Sequence, residues 1–373
     1  MTTLPQRLLG QLIPEVAPPS YPKRIVFVQP CCIGDVVMAT AALGALRQHY
    51  PHAHITWAVG GWSRAVVENH PHVDELLHSG MDALPVHNQR GFRRFVKQIS
   101  EGHFDLAVSL VRSYKMSTAL LSAGVKFRVG LDSNGRGYAY NIRVPLNPDD
   151  RRHEVEIYLD VVGALGADIT KSIPYVPADP IATAQVLTRL SSLGITGRFM
   201  VVNPNGGTNP GATMTSKRYP PPNFARLLRT LKLDIHFEHV IVVGGEGDGE
   251  VVAETMLWLE RLQLPATAFV GELSFAEIGS MAYLSRVYIG NDTGLTHYAA
   301  ASGALTVMIL GPSDPLRYRP YSDRALGIWK PYEVDPQGVV NGEPLDWRWS
   351  RDGIAPEDAA RQIARFLRKH GEG

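Results

Sequence analysis

Short apolar runs alternate with longer amphipathic stretches along most of this chain. The first run, at residues 24–28, is rich in β-branched residues and is typical of a buried parallel strand. A helix is predicted over residues 35–49. The same alternation then predicts strands over 54–59, 74–78, 106–110 and 126–130, and helices from 62, over 90–101 and over 114–123. A loop over 132–150 and a helix over 153–165 end this first series.

A second series of the same kind follows a Pro-rich linker at residues 173–180. It begins with a strand near 200–203, and its other predicted elements are strands at 240–243, 287–289 and 305–310, helices over 223–231, 250–262, 293–302 and 356–370, and a helix opened by the capping box at 274–277. Strands separated by helices, twice over, predict an α/β fold of two Rossmann-like, doubly wound domains that face each other across a cleft.

The domain boundaries follow from these two series. Residues 1–22 form a Pro-rich N-terminal tail, residues 23–175 the N-terminal domain and residues 176–355 the C-terminal domain. The closing helix, residues 356–373, is expected to pack back on the N-terminal domain. A length of 373 residues agrees with two domains of ordinary size.

Composition narrows the function classes. A net charge of +1 argues against a dedicated nucleic-acid binder, so no nucleic-acid partner is expected. The only cysteines are Cys31 and Cys32, and adjacent cysteines rarely bridge, so a reducing compartment is expected. The tail lacks the apolar core of a signal peptide, and no window reaches a membrane-spanning length. A cytoplasmic protein without a metal site is therefore predicted.

The segment 287–303 is the first candidate for chemistry. Asp292 is a good N-cap for a helix over 293–302, and Gly303 is suited to its left-handed end. Thr293 and Gly294 then place free backbone N–H groups at the positive end of a helix dipole, which suits a phosphate or diphosphate. An ordinary capped turn without a ligand is the alternative. His297, one turn into the helix, either contacts phosphate or packs in the interior.

Asp35 follows the first predicted strand and has two interpretations. It can be the N-cap of the helix that it opens, or its carboxylate can take the proton from an attacking hydroxyl group at the edge of the cleft.

The loop over residues 203–220 is long and polar, which suits a mobile loop over a ligand. It ends with Lys217 and Arg218, which can stabilise an anionic leaving group; a solvated charge pair is the alternative. Glu250 follows the strand at 240–243 and can bind ribose hydroxyl groups, with Glu246 and Asp248 as alternatives.

A basic stretch lies on the helix predicted over 90–101. Its residues are Arg90, Arg93, Arg94 and Lys97, and Arg112 and Lys115 follow further along the chain. The stretch is either a solvated helix face or a binding patch for an anionic acceptor or membrane surface. Two nucleotide motifs fail elsewhere, because Glu250 stands where the dinucleotide fingerprint needs glycine and Ala212 stands where a P-loop needs lysine. Hydride transfer and NTP hydrolysis therefore have little support.

Taken together, four blocks resemble glycosyltransferase family 9, the lipopolysaccharide heptosyltransferases and their relatives. The blocks are Ile-Gly-Asp-Val-Val at 33–37, the loop 203–220, Gly-Asn-Asp-Thr-Gly-Leu-Thr-His at 290–297 and Gly-Pro-Ser-Asp-Pro at 311–315. The chain departs from the family at Cys31-Cys32, at Thr40-Ala41 where a proline is frequent, and at Tyr219 where tryptophan is usual.

The resemblance implies a GT-B fold and inverting, metal-independent transfer of a heptose-like sugar from a nucleoside diphosphate sugar, such as ADP-heptose, to an anionic lipopolysaccharide or other envelope glycan. No cofactor is implied. The cytoplasmic location predicted from the tail leaves open a peripheral contact with the inner face of the cytoplasmic membrane. A GT-B epimerase and an inactive sugar-nucleotide-binding module remain the alternatives.

The resemblance also assigns roles to residues of this chain. It implies that Asp35 is the catalytic base. It also implies that Lys217 contacts the donor's diphosphate, that Asp292, Thr293 and Gly294 form the phosphate turn with His297, and that Glu250 contacts ribose. Beside these, Thr215 and Arg218 are predicted to bind the donor. The residues predicted to bind the acceptor are Gly34, Arg93, Arg94, Arg112 and Lys115.

Overall fold

The structure is a computed structural model that describes residues 10–331 and 347–372. The first nine residues of the predicted tail, the segment 332–346 and residue 373 lie outside the described part. The chain divides into two compact units, Met1–Pro174 and Tyr175–Gly373.

The first unit is built on a six-stranded parallel sheet. Its strand order is β3-β2-β1-β4-β5-β6, and the strands are β1 (Arg24–Val28), β2 (His54–Val59), β3 (Glu75–His78), β4 (Leu106–Ser109), β5 (Phe127–Ser133) and β6 (Ile142–Leu146). The predicted loop over 132–150 is thus partly a strand. β6 lies at an edge of the sheet and contains an exposed Pro145, which broke the apolar pattern and is tolerated only at an edge.

In the described part of this unit, the sheet is accompanied by the helices α1 (Ile33–His49), α2 (Gln89–Glu101), α3 (Tyr114–Ser122) and α4 (Glu154–Gly163), and by a 3-10 turn at Arg64–Val66. From Val36 to Leu46, α1 is buried on nearly every side, because its residues there are small or aliphatic. It packs against α4, whose apolar residues are also buried. This packing brings the start of α1 and residues of α4 into contact.

The second unit repeats this topology. Its order is β11-β10-β7-β12-β13-β14, and the strands are β7 (Phe199–Asn203), β10 (His239–Gly244), β11 (Ala266–Val270), β12 (Tyr288–Asn291), β13 (Thr306–Ile309) and β14 (Ala325–Ile328), with a separate hairpin of β8 (Thr208–Asn209) and β9 (Ala212–Thr213). The edge strands β11 and β14 were not predicted, because they are short and only partly buried.

Eight helices belong to the second unit's described part: α5 (Pro180–Ser192), α6 (Pro221–Leu231), α7 (Gly249–Arg261), α8 (Phe275–Leu284), α9 (Gly294–Ala301), α10 (Pro315–Tyr318), α11 (Trp349–Asp352) and α12 (Pro356–Lys369). The sequence pattern missed α5, although Asp179 caps it through the N–H of Ile181 at 2.8 Å and proline opens it. The described helices are all too short or too polar to span a bilayer.

The closing helix, α12, belongs to the second unit and packs against α6 within it. The reason is its apolar stripe, which includes Ile363 and Leu367 and joins Phe224 of α6 in one buried cluster. Tyr219 extends the same cluster; its hydroxyl donates to the carbonyl of Ile354 at 3.1 Å.

Candidate functional site

The first candidate site lies where β1 ends and α1 begins. The helix starts at Ile33 with Cys32 as N-cap, so the prediction that Asp35 is the N-cap is wrong. Asp35 is instead the third helical residue, and its Oδ2 accepts the N–H of Cys32 at 3.3 Å. A carboxylate at this position satisfies a free N–H group and favours the helix dipole. The structure also joins Cys31 and Cys32 in a disulfide, contrary to expectation.

A polar cluster from α4 surrounds this carboxylate. The hydroxyl of Tyr158 donates to Oδ1 of Asp35 at 3.0 Å. One turn earlier, Glu154 forms an ion pair with Arg112 at 2.5 Å, and only 1% of the Glu154 side chain is exposed. Sequence reasoning missed Tyr158 and Glu154, and it expected Arg112 to face an acceptor. The structure gives Arg112 a buried carboxylate as partner.

The surroundings raise the pKa of the Asp35 carboxyl group above its usual value. Burial is the main cause, and the negative charge of Glu154 acts in the same direction. The hydrogen bonds from Cys32 and Tyr158 and the charge of Arg112 oppose the rise without cancelling it. A carboxylate with a raised pKa is a stronger base, which is the property that proton abstraction at neutral pH requires.

The other proposed acceptor residues divide between two places. Gly34 lies beside Asp35 in the first turn of α1. Arg93 and Lys115 line a pocket of about 320 Å³ with Phe92 of α2. Lys115 also donates to the carbonyl of His87 at 2.7 Å. Arg94 donates to the carbonyl of Ser79 at 3.0 Å and so braces the end of β3. These contacts do not show whether the residues bind an acceptor, so their role in acceptor binding stays a prediction.

The second candidate site lies at the carboxyl ends of β7, β12 and β13. Asn291 ties its loops together, because its Nδ2 donates to the carbonyls of Pro204 and Asn205 at 2.8 and 2.9 Å. Its Oδ1 accepts the N–H of Tyr219 at 2.9 Å. Gly206, with φ of +149°, passes this amide so closely that a Cβ atom would lie 3.3 Å from the Cβ of Asn291. These contacts hold the loops at the base of the second site in place.

The turn after Asn291 differs from the prediction. Thr293, not Asp292, is the N-cap, and α9 begins at Gly294. The reason is that the Asp292 carboxylate faces inward: Oδ2 lies 2.7 Å from Nζ of Lys217 and accepts a hydrogen bond from the hydroxyl of Ser313. The predicted left-handed end at Gly303 is confirmed by its φ of +86°.

Asp292 and Lys217 form a buried ion pair, with side chains 7% and 11% exposed. Burial acts to raise the pKa of Asp292, but the charge and hydrogen bond of Lys217, helped by Ser313 and His297, hold it below its usual value. The solvated charge pair offered as an alternative for Lys217 is therefore wrong. Ser313 was missed as a site residue, although the sequence signal existed in the Gly-Pro-Ser-Asp-Pro block at 311–315.

The remaining proposed donor residues flank this ion pair or lie apart from it. Arg218 donates from Nε to the carbonyl of Gly206 at 2.9 Å. Thr215 is exposed at the start of the 3-10 turn that carries Lys217. His297 is buried in α9, and its charge acts on Asp292. Glu250 is exposed in the first turn of α7, and nothing in the structure tests its contact with ribose.

The described residues hold no group of three or more His, Cys, Asp or Glu side chains placed to bind a metal ion. Positive charge at the second site comes from Lys217 and Arg218. The first N–H groups of α9 add to it, because the opening N–H groups of a helix have no partner within the helix.

Each of the two parallel sheets thus carries a charged cluster near the carboxyl ends of its strands. The model of glycosyltransferase family 9 (heptosyltransferase) matches residues 92–341, which is more than half of the chain. The chain therefore belongs to glycosyltransferase family 9, and it is a glycosyltransferase.

Relatives agree with this assignment. The chain is 26% identical over 310 residues to lipopolysaccharide heptosyltransferase 2 of Escherichia coli K12, covering 81% of this chain and 86% of the relative. A family 9 glycosyltransferase structure from Veillonella parvula superposes with a TM-score of 0.75 at 22% identity, covering 93% of this chain and 98% of the other. The structure of E. coli ADP-heptose lipopolysaccharide heptosyltransferase II superposes with a TM-score of 0.70 at 20% identity. The match covers 93% of this chain and 99% of the other. These structures share the GT-B fold of two parallel-sheet domains.

Proposed function

We propose that this protein transfers a heptose from ADP-heptose to a lipopolysaccharide core acceptor, with Asp35 as the general base. The observation that carries the proposal is the Asp35 carboxylate, which two hydrogen bonds hold and whose pKa its surroundings raise. The names of the relatives support the donor and acceptor, since those proteins are heptosyltransferases of lipopolysaccharide. The reaction would take place in the cytoplasm, on an anionic glycolipid.

The chemistry would be a single displacement. The acceptor hydroxyl oxygen attacks the anomeric carbon of the donor while Asp35 takes the hydroxyl proton. A new C–O bond forms, the bond from the anomeric carbon to the phosphate oxygen breaks, and the nucleoside diphosphate leaves with that electron pair. Attack from the face opposite the leaving group inverts the anomeric configuration.

The second site would bind and stabilise the leaving diphosphate. Lys217 and the N-terminus of α9 supply positive charge there, and Arg218 adds a second cation nearby. In this proposal Asp292 acts through Lys217. Its carboxylate fixes Nζ at 2.7 Å and so presents the ammonium group in one position. Thr293, Gly294 and His297 would complete the phosphate turn.

Nucleotide selectivity tests the donor. We expect ADP to raise the melting temperature of the purified protein by several degrees, and GDP, UDP, CMP and NAD to raise it much less, because only a nucleotide that binds the folded state stabilises it. Thermal scans with each nucleotide measure this. The transfer assay itself uses ADP-heptose and heptose-free core glycolipid. Selective stabilisation by another nucleoside diphosphate would reject ADP-heptose but keep the transferase.

Chelation tests the role assigned to the cations of the second site. We expect EDTA to leave the transfer rate unchanged within about twofold, because Lys217, Arg218 and the dipole of α9 replace the divalent ion that other transferases use against a diphosphate. The rate is measured before and after exhaustive dialysis against EDTA. Loss of activity that a divalent cation restores would overturn metal-independent transfer.

A further inference from the structure

We propose that Tyr158 is a positioning residue for the Asp35 carboxylate, and that the buried Glu154–Arg112 pair on the same face of α4 belongs to the setting in which that carboxylate is held. The proposal rests on Asp35 as the general base. It gives a functional role to α4, a helix that lies outside the four sequence blocks. Tyr158 itself touches no substrate in this proposal; it acts only through Asp35.

The geometry restrains both carboxylate oxygens. Tyr158 donates to Oδ1 at 3.0 Å from α4, and the backbone N–H of Cys32 donates to Oδ2 at 3.3 Å from the start of α1. Two donors from separate elements oppose rotation of the carboxylate about its last side-chain bond. The Tyr158 ring is 3% exposed, so packing holds its hydroxyl in place. The acceptor hydroxyl then meets a base in one orientation.

Glu154 lies four residues before Tyr158 and therefore shares its face of α4. Its buried carboxylate forms an ion pair with Arg112, and its negative charge acts on Asp35. The ionisable groups that act on Asp35 are thus Tyr158 and Glu154 from α4 and Arg112 from the segment after β4. Glu154 disfavours a second negative charge, whereas Tyr158 and Arg112 favour it.

The two α4 residues consequently act in opposite directions on the same base. The hydrogen bond from Tyr158 stabilises the ionised form, so its loss raises the pKa of Asp35 further. The charge of Glu154 destabilises the ionised form, so its loss lowers that pKa. The pKa of Tyr158 is itself raised well above 10 by burial and by the Asp35 charge, so the phenol remains a donor throughout the working range.

The test is the pH profile of kcat/KM for transfer from ADP-heptose to core glycolipid. For Tyr158→Phe we expect the acid limb to move to higher pH, with a loss of about tenfold on that limb that shrinks in alkali, since the lost hydrogen bond stabilises the ionised form of Asp35. For Glu154→Gln the limb moves to lower pH. Tyr50→Phe is the matched control, because it removes a buried phenol bond to the Pro19 carbonyl at the other end of α1.

Site-specific 3,5-difluorotyrosine at position 158 gives a second measurement that leaves the packing almost intact. Its more acidic phenol donates a stronger hydrogen bond, so the acid limb should move below that of the wild type. This decides the matter if Tyr158→Phe fails to fold. Identical limbs for the wild type and the Tyr158 variants would overturn the positioning role. An active Asp35→Asn variant would overturn the base itself, so the two failures are distinguishable.

Discussion

Asp35→Asn is expected to lower the transfer rate by about a thousandfold while ADP still stabilises the protein. General-base catalysis by one side chain contributes about 10² to 10⁴ in rate. The substitution keeps the size of the side chain and can still accept the hydrogen bond from Tyr158. It removes the group that takes the proton. Rates are measured with ADP-heptose and core glycolipid, and ADP binding by calorimetry.

The control is Asp132→Asn, which makes the same chemical change at an aspartate whose side chain accepts the N–H of Gly137 at 2.9 Å. We expect it to keep its transfer rate. ADP binding should survive in both variants, because the residues proposed to hold the diphosphate belong to the other compact unit. Turnover of Asp35→Asn near the wild-type value would mean that another group accepts the proton.

Lys217→Met is expected to lower both the free energy of unfolding and the affinity for ADP. The stability loss is about 3–5 kcal/mol, because the substitution leaves Asp292 as a buried charge without its cation. The loss of ADP affinity is separate and comes from removing a charge beside the diphosphate. Denaturant unfolding and calorimetry measure the two effects. Lys97→Met, on an exposed face of α2, is the control for charge alone.

A double variant separates the two roles of Lys217. Lys217→Met with Asp292→Asn removes both charges, so most of the lost stability should return while ADP affinity stays low. Recovery of ADP binding together with stability would show that Lys217 only neutralises Asp292.

Acid pH provides an independent check on this ion pair. The pKa of Asp292 is lowered on folding from its ordinary value of 3.8. Its contribution to stability is therefore complete above that value and is lost as the pH falls through the lower folded-state pKa. We expect the wild type to lose more stability in this acid range than the double variant. Equal acid sensitivity in denaturant titrations would contradict the pairing.

Much of the fold could be predicted because central parallel strands are continuously apolar. β1 and β7 are examples, and both were predicted as strands from their apolar runs. The edge strands β6, β11 and β14 could not be predicted with the same rule, since an edge strand buries less surface and tolerates proline. The start of α5 could have been predicted from Asp179-Pro180.

The candidate site was predictable only in part. Motifs identified Asp35, Lys217 and Asp292, yet Asp292 was expected to be an N-cap, and so was Asp35 in one of its two interpretations. Each instead contacts a side chain that is distant in sequence, Tyr158 for Asp35 and Lys217 for Asp292. Tyr158 lies 123 residues from Asp35, and packing of α4 on α1 alone brings them together. Such pairings depend on tertiary structure, so a periodicity argument cannot supply them.

The repeated strand order has an evolutionary consequence. Each unit carries a complete six-stranded sheet with its own charged cluster, one assigned to the proton and the other to the nucleotide. Under the proposed function, substitutions in the first half of the gene would alter recognition of the glycan without disturbing the nucleotide cluster. New linkages would then arise by divergence of one half, while the activated sugar stays the same.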